Sequence, residues 1–191
     1  NREKPGVNKY FQPFKNYLKQ TESWDTLLVY TQDYAIARNQ DFQSQLEFLD
    51  IYIWMDDEPK WQETAFKLTK TLTTNDNSMK SIIQRLVNNG KYDFAYERLK
   101  EYRHETGLKD FYSMEMGTFF GMRMAYDKAV QEYLLFLETH PQKLQTISDR
   151  IMVYPDLPDI MNVITSILLK SHLQTAQFIL ADLPFKQKAY N

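Results

Sequence analysis

The sequence contains no cysteine, and this absence removes several classes of function at once. Thiol catalysis, disulfide bonds and metal sites with cysteine ligands are all excluded. The absence leaves the compartment undecided, because a cysteine-free chain suits both the cytoplasm and the periplasm. We expect the cytoplasm slightly more than the periplasm, since export would require a leader that has been removed.

The sequence also has neither a large excess of charge of one sign nor long apolar runs. The formal net charge is −2, whereas a surface that binds nucleic acid usually carries a clear basic excess. No apolar run approaches the roughly 18 residues that a membrane span requires. The opening residues, NREKPGVNKYF, show no hydrophobic signal core. We therefore expect neither a nucleic-acid partner nor a membrane span.

Glycine and proline are few, at five and seven of 191 residues, which favours long regular elements over many turns. Apolar residues recur with the helical period from end to end, while strand-like alternation is rare. This periodicity predicts an all-α protein with about eleven helices. Their predicted ranges are 8–20, 23–38, 41–55, 59–73, 76–89, 92–106, 110–123, 126–139, 143–153, 157–170 and 172–182.

Residues that stop and start helices stand between these ranges. Asn39 can end a helix in the left-handed conformation, and Asp41 can accept hydrogen bonds from the free N–H groups of the next helix. Gly90 and Gly107 mark two further ends, and Pro59 suits a first helical turn. Because the connections are only about two to five residues long, successive helices are predicted to run antiparallel.

The segment 110–141, DFYSMEMGTFFGMRMAYDKAVQEYLLFLETHP, carries a pattern of small and large residues. It resembles a tetratricopeptide repeat, whose pattern is W-x2-L-G-x2-Y, then A-x3-F, then P. The pattern positions are filled by Ser113, Met116, Gly117, Phe120, Ala129, Tyr133 and Pro141. The same frame recurs 34 residues earlier, where Ala95 and Leu99 match Ala129 and Tyr133.

The resemblance implies an α–α superhelix, a right-handed solenoid of antiparallel helix pairs, as one domain over residues 1–191. The best repeats are 76–109 and 110–141, and degenerate pairs are expected at 8–38, 41–73 and 157–190. A short helix near 143–153 is expected to interrupt the array. Because the chain stops without a polar capping helix, we also expect it to come from a longer array.

In this repeat family the first helix of each pair lines a concave groove, and this implies a surface for a partner protein or peptide. In 110–141 that surface comprises Met114, Thr118 and Met122, since methionine suits partners of irregular shape. Packing of these methionines against a neighbouring helix is an equal alternative. Met116, Phe120 and Met124 should instead pack inside the stack, on the face of Gly117.

The preceding repeat presents Lys80, Gln84 and Asn88 at the equivalent positions. Lysine and amide side chains can hold a peptide backbone or a carboxylate. An ordinary solvated face explains the same residues slightly better.

A search for catalytic and metal sites finds little. His104, His140 and His172 are far apart, without the spacing of metal ligands. The acidic run 56–58 is explained by compensation of the dipole of the next helix. We expect no catalytic residue, no metal and no cofactor, and a protein that is not an enzyme.

Three functions remain in competition. The leading interpretation is a protein–protein interaction scaffold that binds a peptide or helix in the concave groove. A structural or oligomerisation module would explain the aromatic content of 15%, which includes Trp24, Trp54 and Trp61, through a homo-oligomer. A helical regulatory domain of a larger protein is the third interpretation.

Overall fold

The computed structural model describes residues 6–72 and 75–189 of the chain. Over this part of the chain the structure is all-α, with eleven α-helices and no strand. The prediction of an all-α protein with about eleven helices is confirmed. The helices are α1 (Asn8–Gln20), α2 (Trp24–Ala37), α3 (Phe42–Trp54), α4 (Glu58–Lys67), α5 (Asp76–Asn88), α6 (Tyr92–Thr106), α7 (Ser113–Met122), α8 (Tyr126–Thr139), α9 (Leu144–Met152), α10 (Pro158–Lys170) and α11 (Gln174–Ala189).

The chain divides into two compact units, Asn1–Leu99 and Lys100–Asn191, with the boundary inside α6. We expected one continuous domain over residues 1–191. Each unit is described by itself below, as the first unit and the second unit.

Three helix ends differ from the predicted ranges. α4 is α-helical only to Lys67 and continues as a π-helical segment, Leu68–Leu72. α7 begins at Ser113 rather than at residue 110, because Tyr112 adopts the left-handed conformation with φ of 61°. α11 runs to Ala189 instead of ending at residue 182. The predicted ends at residues 73 and 190 of the degenerate pairs lie outside the described residues.

The predicted stop and start signals are observed. Asn39 has a left-handed φ of 51°, and the carboxylate of Asp41 accepts a hydrogen bond of 2.8 Å from the backbone N–H of Ser44. Gly90 and Gly107 have φ of 77° and 75°, which a side chain would oppose. Local chemistry therefore decides where these helices begin and end, before any packing is considered.

In the first unit, α1 and α2 form an antiparallel hairpin. Phe11, near the start of α1, stacks on Tyr34 near the end of α2, with ring centroids 3.8 Å apart. Leu18, near the end of α1, packs in one buried cluster with Leu27 near the start of α2. Ile51 of α3 completes this cluster, so the hairpin rests on the third helix.

In the second unit, α7 and α8 form an antiparallel hairpin that is held by a close helix crossing. A Cβ atom added to Gly117 would lie 2.5 Å from Cε1 of Tyr133, so the tyrosine ring occupies the space that a side chain would need. Met116 and Phe120 are buried beside this contact, as expected from the repeat pattern. The small residue is therefore required by the large one that faces it.

Candidate interaction surface

In the first unit the odd-numbered helices α1, α3 and α5 lie side by side. Along α1, Gln12 contacts Glu47 of α3, with Nε2 3.4 Å from Oε1, and Lys19 lies 3.7 Å from the ring centroid of Trp54. Later residues of α1 thus meet later residues of α3, so the two helices run parallel. The contacting residues are separated by 35 positions, close to the expected repeat of 34.

The same arrangement joins α3 to α5. Nε1 of Trp54 donates a hydrogen bond of 2.9 Å to Oδ1 of Asn89, just after α5, and Arg85 contacts Glu47 at 3.4 Å. The order along both helices is again the same. A parallel row of three alternate helices is what stacked helical hairpins produce, because each intervening helix returns the chain to the same end.

Four charged side chains lie in this row. Lys15 of α1, Glu47 and Asp50 of α3, and Arg85 of α5 have exposed side-chain fractions of 7%, 0%, 6% and 25%. Lys15 forms an ion pair with Glu47, and Arg85 forms one with Asp50. With two cations and two anions the cluster is neutral, and each charge has a partner in the interior.

The two carboxylates experience this environment differently. For Glu47, burial opposes ionisation, but the ammonium of Lys15 and the guanidinium of Arg85 outweigh it and lower the pKa. For Asp50, burial is the dominant effect, and it raises the pKa despite the opposing attraction of Arg85 and Lys15. The sequence analysis did not identify this cluster. The separation of 35 residues between Asp50 and Arg85 is the signal that could have revealed it.

The predicted residues of the first unit lie beside this cluster on α5. Lys80 and Gln84 are half-buried and Asn88 is exposed. Nε2 of Gln84 donates a hydrogen bond of 2.8 Å to Oδ1 of Asn88. The spacing of four residues places the three side chains along one side of the helix.

In the second unit, α7 lies beside α9, and α9 lies beside α11. A Cβ atom on Gly121 of α7 would lie 2.6 Å from Oη of Tyr154, just after α9. Ser148 of α9 donates a hydrogen bond of 3.5 Å to Asp182 of α11. We expected the helix near 143–153 to interrupt the array. In the structure α9 lies between α7 and α11, and it contacts residues that are 33 or 34 positions away in the sequence.

The predicted residues of the second unit lie on α7. Met114 and Thr118 are half-buried, and Met122 is 68% exposed. Oγ1 of Thr118 donates to the carbonyl of Met114 at 2.9 Å and accepts a hydrogen bond from Arg150 of α9. Thr118 is therefore engaged in holding α9, whereas the side chain of Met122 projects into solvent.

The expectation that Met124 packs inside the stack is wrong. Its side chain is 76% exposed. The helix ends at Met122, and Met124 takes the left-handed conformation with φ of 61°, so it no longer follows the face of Gly117. Periodicity alone assigned it to the core because it assumed a helix that continued.

A second buried ion pair was also missed by sequence reasoning. Nη1 and Nη2 of Arg103 donate to Oε1 and Oε2 of Glu132 at 3.0 and 2.7 Å, and Nε donates to the carbonyl of Phe111 at 2.8 Å. The bidentate pair fixes α8 to the end of α6 and to the segment before α7. Its separation of 29 residues follows no repeat spacing.

His140 and the acidic run make contacts of other kinds. No group of three potential metal ligands occurs among residues 6–72 and 75–189. His140 stacks on Phe136 with ring centroids 4.4 Å apart, and its Nδ1 lies 3.3 Å from Asp110. In the acidic run, Asp57 caps α4 by accepting a hydrogen bond of 3.2 Å from the N–H of Lys60.

Comparison with protein-family models, curated proteins and solved structures returns no match for this chain. Within the described residues, no helix combines the length and the apolar character needed to cross a membrane.

Proposed function

We propose that the chain is a protein-interaction scaffold built as a right-handed, tetratricopeptide-like α–α superhelix. In each unit, the surface formed by the odd-numbered helices would bind a peptide or a helix of a partner protein. The observation that carries the proposal is the row of odd-numbered helices in each unit, which run parallel throughout the first unit. Rows of this kind are how hairpin repeats generate extended binding surfaces.

The exposed surface of α7 supports a binding role in the second unit. Met122 is 68% exposed, although methionine is usually buried in a monomeric protein. A flexible thioether side chain adapts to irregular apolar partners, and an exposed apolar residue on a rigid helix binds with little loss of entropy. Met114 lies two turns earlier on the same side of the helix.

The first unit offers polar chemistry at the corresponding place. Lys80, Gln84 and Asn88 provide one ammonium and two amides along α5. Such groups hydrogen-bond a peptide backbone or a carboxylate. This surface of the first unit therefore suits a partner segment whose backbone groups are free for hydrogen bonding.

Affinity capture with two matched variants tests the proposal. Met122→Glu places a charge on the proposed surface of α7, while Leu169→Glu does the same on α10, where Leu169 is 62% exposed. A partner retained by the wild type and by Leu169→Glu, but lost with Met122→Glu, is the expected result. If the same proteins bind to all three, this surface is not the binding site. If the captured protein is a second copy of the chain, the alternative of an oligomerisation module is favoured.

A further inference from the structure

Methionine carries all the sulfur of this chain, because the sequence has eight methionines and no cysteine. Six of the eight are shielded from water to some degree. The three buried methionines are Met79, Met116 and Met161, and the three half-buried ones are Met55, Met114 and Met152. Met122 and Met124 differ from these six, since they are 68% and 76% exposed.

The two exposed methionines lie at one end of the second unit, next to a second pair of exposed apolar residues. The first methionine is the last residue of α7, and the other lies in the turn to α8. Gly121, which precedes them, lies against the phenol of Tyr154, just after α9. The exposed Val153 and Leu157 stand on either side of that tyrosine in the sequence. Four exposed apolar side chains therefore occur within three residues of one contact between the two helix ends, and clustered apolar surface marks interaction sites.

The turn after α7 does not depend on the methionine side chains. The N–H of Met124 donates a hydrogen bond of 3.0 Å to the carbonyl of Gly121, and the N–H of Ala125 donates one of 3.0 Å to the carbonyl of Phe120. Both bonds join backbone groups. A chemical change confined to the exposed thioethers therefore leaves the turn and the buried core in place, and surface changes of this kind usually alter stability little.

An exposed thioether reacts with peroxide without help from a catalytic group. The sulfur attacks one oxygen of hydrogen peroxide, the O–O bond breaks, and the second oxygen leaves as water. The sulfur loses two electrons and the peroxide gains them. The product is a sulfoxide, which is polar where the thioether was apolar. A buried methionine reacts only when its surroundings open, so its rate is lowered by the free energy of that opening.

We propose that Met122 and Met124 form a paired oxidation site, at which peroxide converts this end of the second unit from an apolar to a polar surface without unfolding it. Methionine sulfoxide reductases reverse the change, so the surface is switchable. The effect on a partner rests on the proposed scaffold function. Because Met122 lies on the surface that would bind the partner, its sulfoxide weakens an apolar contact there.

Peptide mapping by mass spectrometry, after timed treatment of the full chain with hydrogen peroxide, tests the site. Trypsin cleaves after Arg123 and places Met122 and Met124 in different peptides, while fragment ions separate Met122 from Met114 and Met116. We expect Met122 and Met124 to be oxidised about tenfold faster than the three buried methionines. In urea, where the chain is unfolded, all eight should react at similar rates, because the fold sets the selectivity.

Two further measurements follow the surface and the fold. The oxidised chain should elute earlier from a hydrophobic-interaction column, while its thermal unfolding midpoint stays within about 2 °C of the untreated value. Met122→Leu/Met124→Leu should lose both the fast phase of oxidation and the shift in elution. Met114→Leu/Met152→Leu, which replaces two half-buried methionines, is the matched control and should keep both.

Affinity capture tests the effect on a partner separately. Peroxide treatment should release the protein that the untreated chain retains. Treatment with methionine sulfoxide reductases for both sulfoxide epimers, with a dithiol as the reductant, should restore binding. If the untreated chain captures no partner, the scaffold function fails, while the peptide map still decides the oxidation site.

Equal rates of oxidation at the exposed and the buried methionines of the folded chain would overturn the site. An elution time that oxidation leaves unchanged would overturn the change of surface. A fall of the unfolding midpoint by more than about 5 °C on oxidation would mean that the modification acts on the fold instead.

Discussion

The two units place alternate helices side by side in the same way but hold them together by different chemistry. In the first unit a buried cluster of Lys15, Glu47, Asp50 and Arg85 bridges α1, α3 and α5. In the second unit, α7 approaches α9 through Gly121, whose missing side chain makes room for a tyrosine. Ion pairs specify which helix is the neighbour by charge, whereas glycine contacts specify it by shape.

This difference predicts which substitutions each unit tolerates without loss of stability. A buried charge that loses its partner is costly because the remaining charge is left in the interior. A close-packed contact instead fails when volume is added. The row of α1, α3 and α5 in the first unit should therefore be sensitive to loss of charge, and the contacts of α7 in the second unit to added methyl groups.

The largest effect is expected for Lys15→Met in the first unit. It leaves the fully buried Glu47 without its closest cation, and breaking a buried pair costs about 3–5 kcal/mol of unfolding free energy. Denaturant unfolding measures the loss, and Lys9→Met on the exposed side of α1 is the matched control.

The outcome bears directly on the contrast between the units. In the double variant Lys15→Met/Glu47→Gln, part of the loss should be recovered because no buried charge is left unpaired. A loss below about 1 kcal/mol for Lys15→Met, as at an exposed pair, would mean that charge does not hold the first unit together.

The next largest effect is expected for Gly117→Ala in the second unit. Alanine has a higher helix propensity than glycine, so helix propensity alone predicts that the substitution increases stability. The added Cβ would lie 2.5 Å from the ring of Tyr133. The shifts needed to remove such a clash lower the free energy of unfolding by about 1–3 kcal/mol. Thermal and denaturant unfolding of the variant decide between the two signs.

A double variant in which the ring of Tyr133 is replaced by a smaller side chain provides the control for this substitution. Gly117→Ala/Tyr133→Leu should lose less than the sum of the two single changes, because the clash is absent. If Gly117→Ala is stabilising, the second unit is not held by close packing at this crossing.

The sequence predicts this crossing but not the charged cluster. Gly117 and Tyr133 lie at fixed positions of a repeat pattern on one hairpin, so their contact depends only on local chain geometry. Lys15 and Glu47 lie on helices that meet only after an intervening helix has returned the chain. Which side of each helix faces its neighbour follows from the packing of whole hairpins, and periodicity does not supply it.

Helix ends show the same division between local and non-local information. The caps at Asp41 and Gly90 involve neighbouring residues, and they were predicted. The left-handed Tyr112 and Met124, which shift the start of α7 and expose a methionine, were not. Bulky residues seldom adopt this conformation, so nothing in their type signals it. Met114, Thr118 and Met122 stay predictions, because the placement of α7 does not reveal a partner.

The smallest effect at neutral pH concerns Tyr112 in the second unit. Burial, assisted by the nearby charge of Glu115, raises its pKa to about 12. Burial also raises the pKa of Tyr154 in the same unit. In the unfolded chain a tyrosine ionises near its ordinary pKa of 10, while Tyr112 in the folded chain, with its pKa of about 12, stays neutral to a higher pH. The contribution of Tyr112 to stability is therefore fully present below pH 10 and is lost as the pH rises from about 10 through about 12.

We expect Tyr112→Phe to change stability little at neutral pH and to reduce the alkaline loss. Urea unfolding at pH values from about 8 to about 11.5 measures the slope, and Tyr17→Phe, on an exposed tyrosine of α1, is the control. A wild-type stability that is flat above pH 10 would contradict the burial of this phenol. Lys15→Met should leave the contribution of Tyr112 unchanged, because the two residues belong to different compact units and share no contact partner among the described residues.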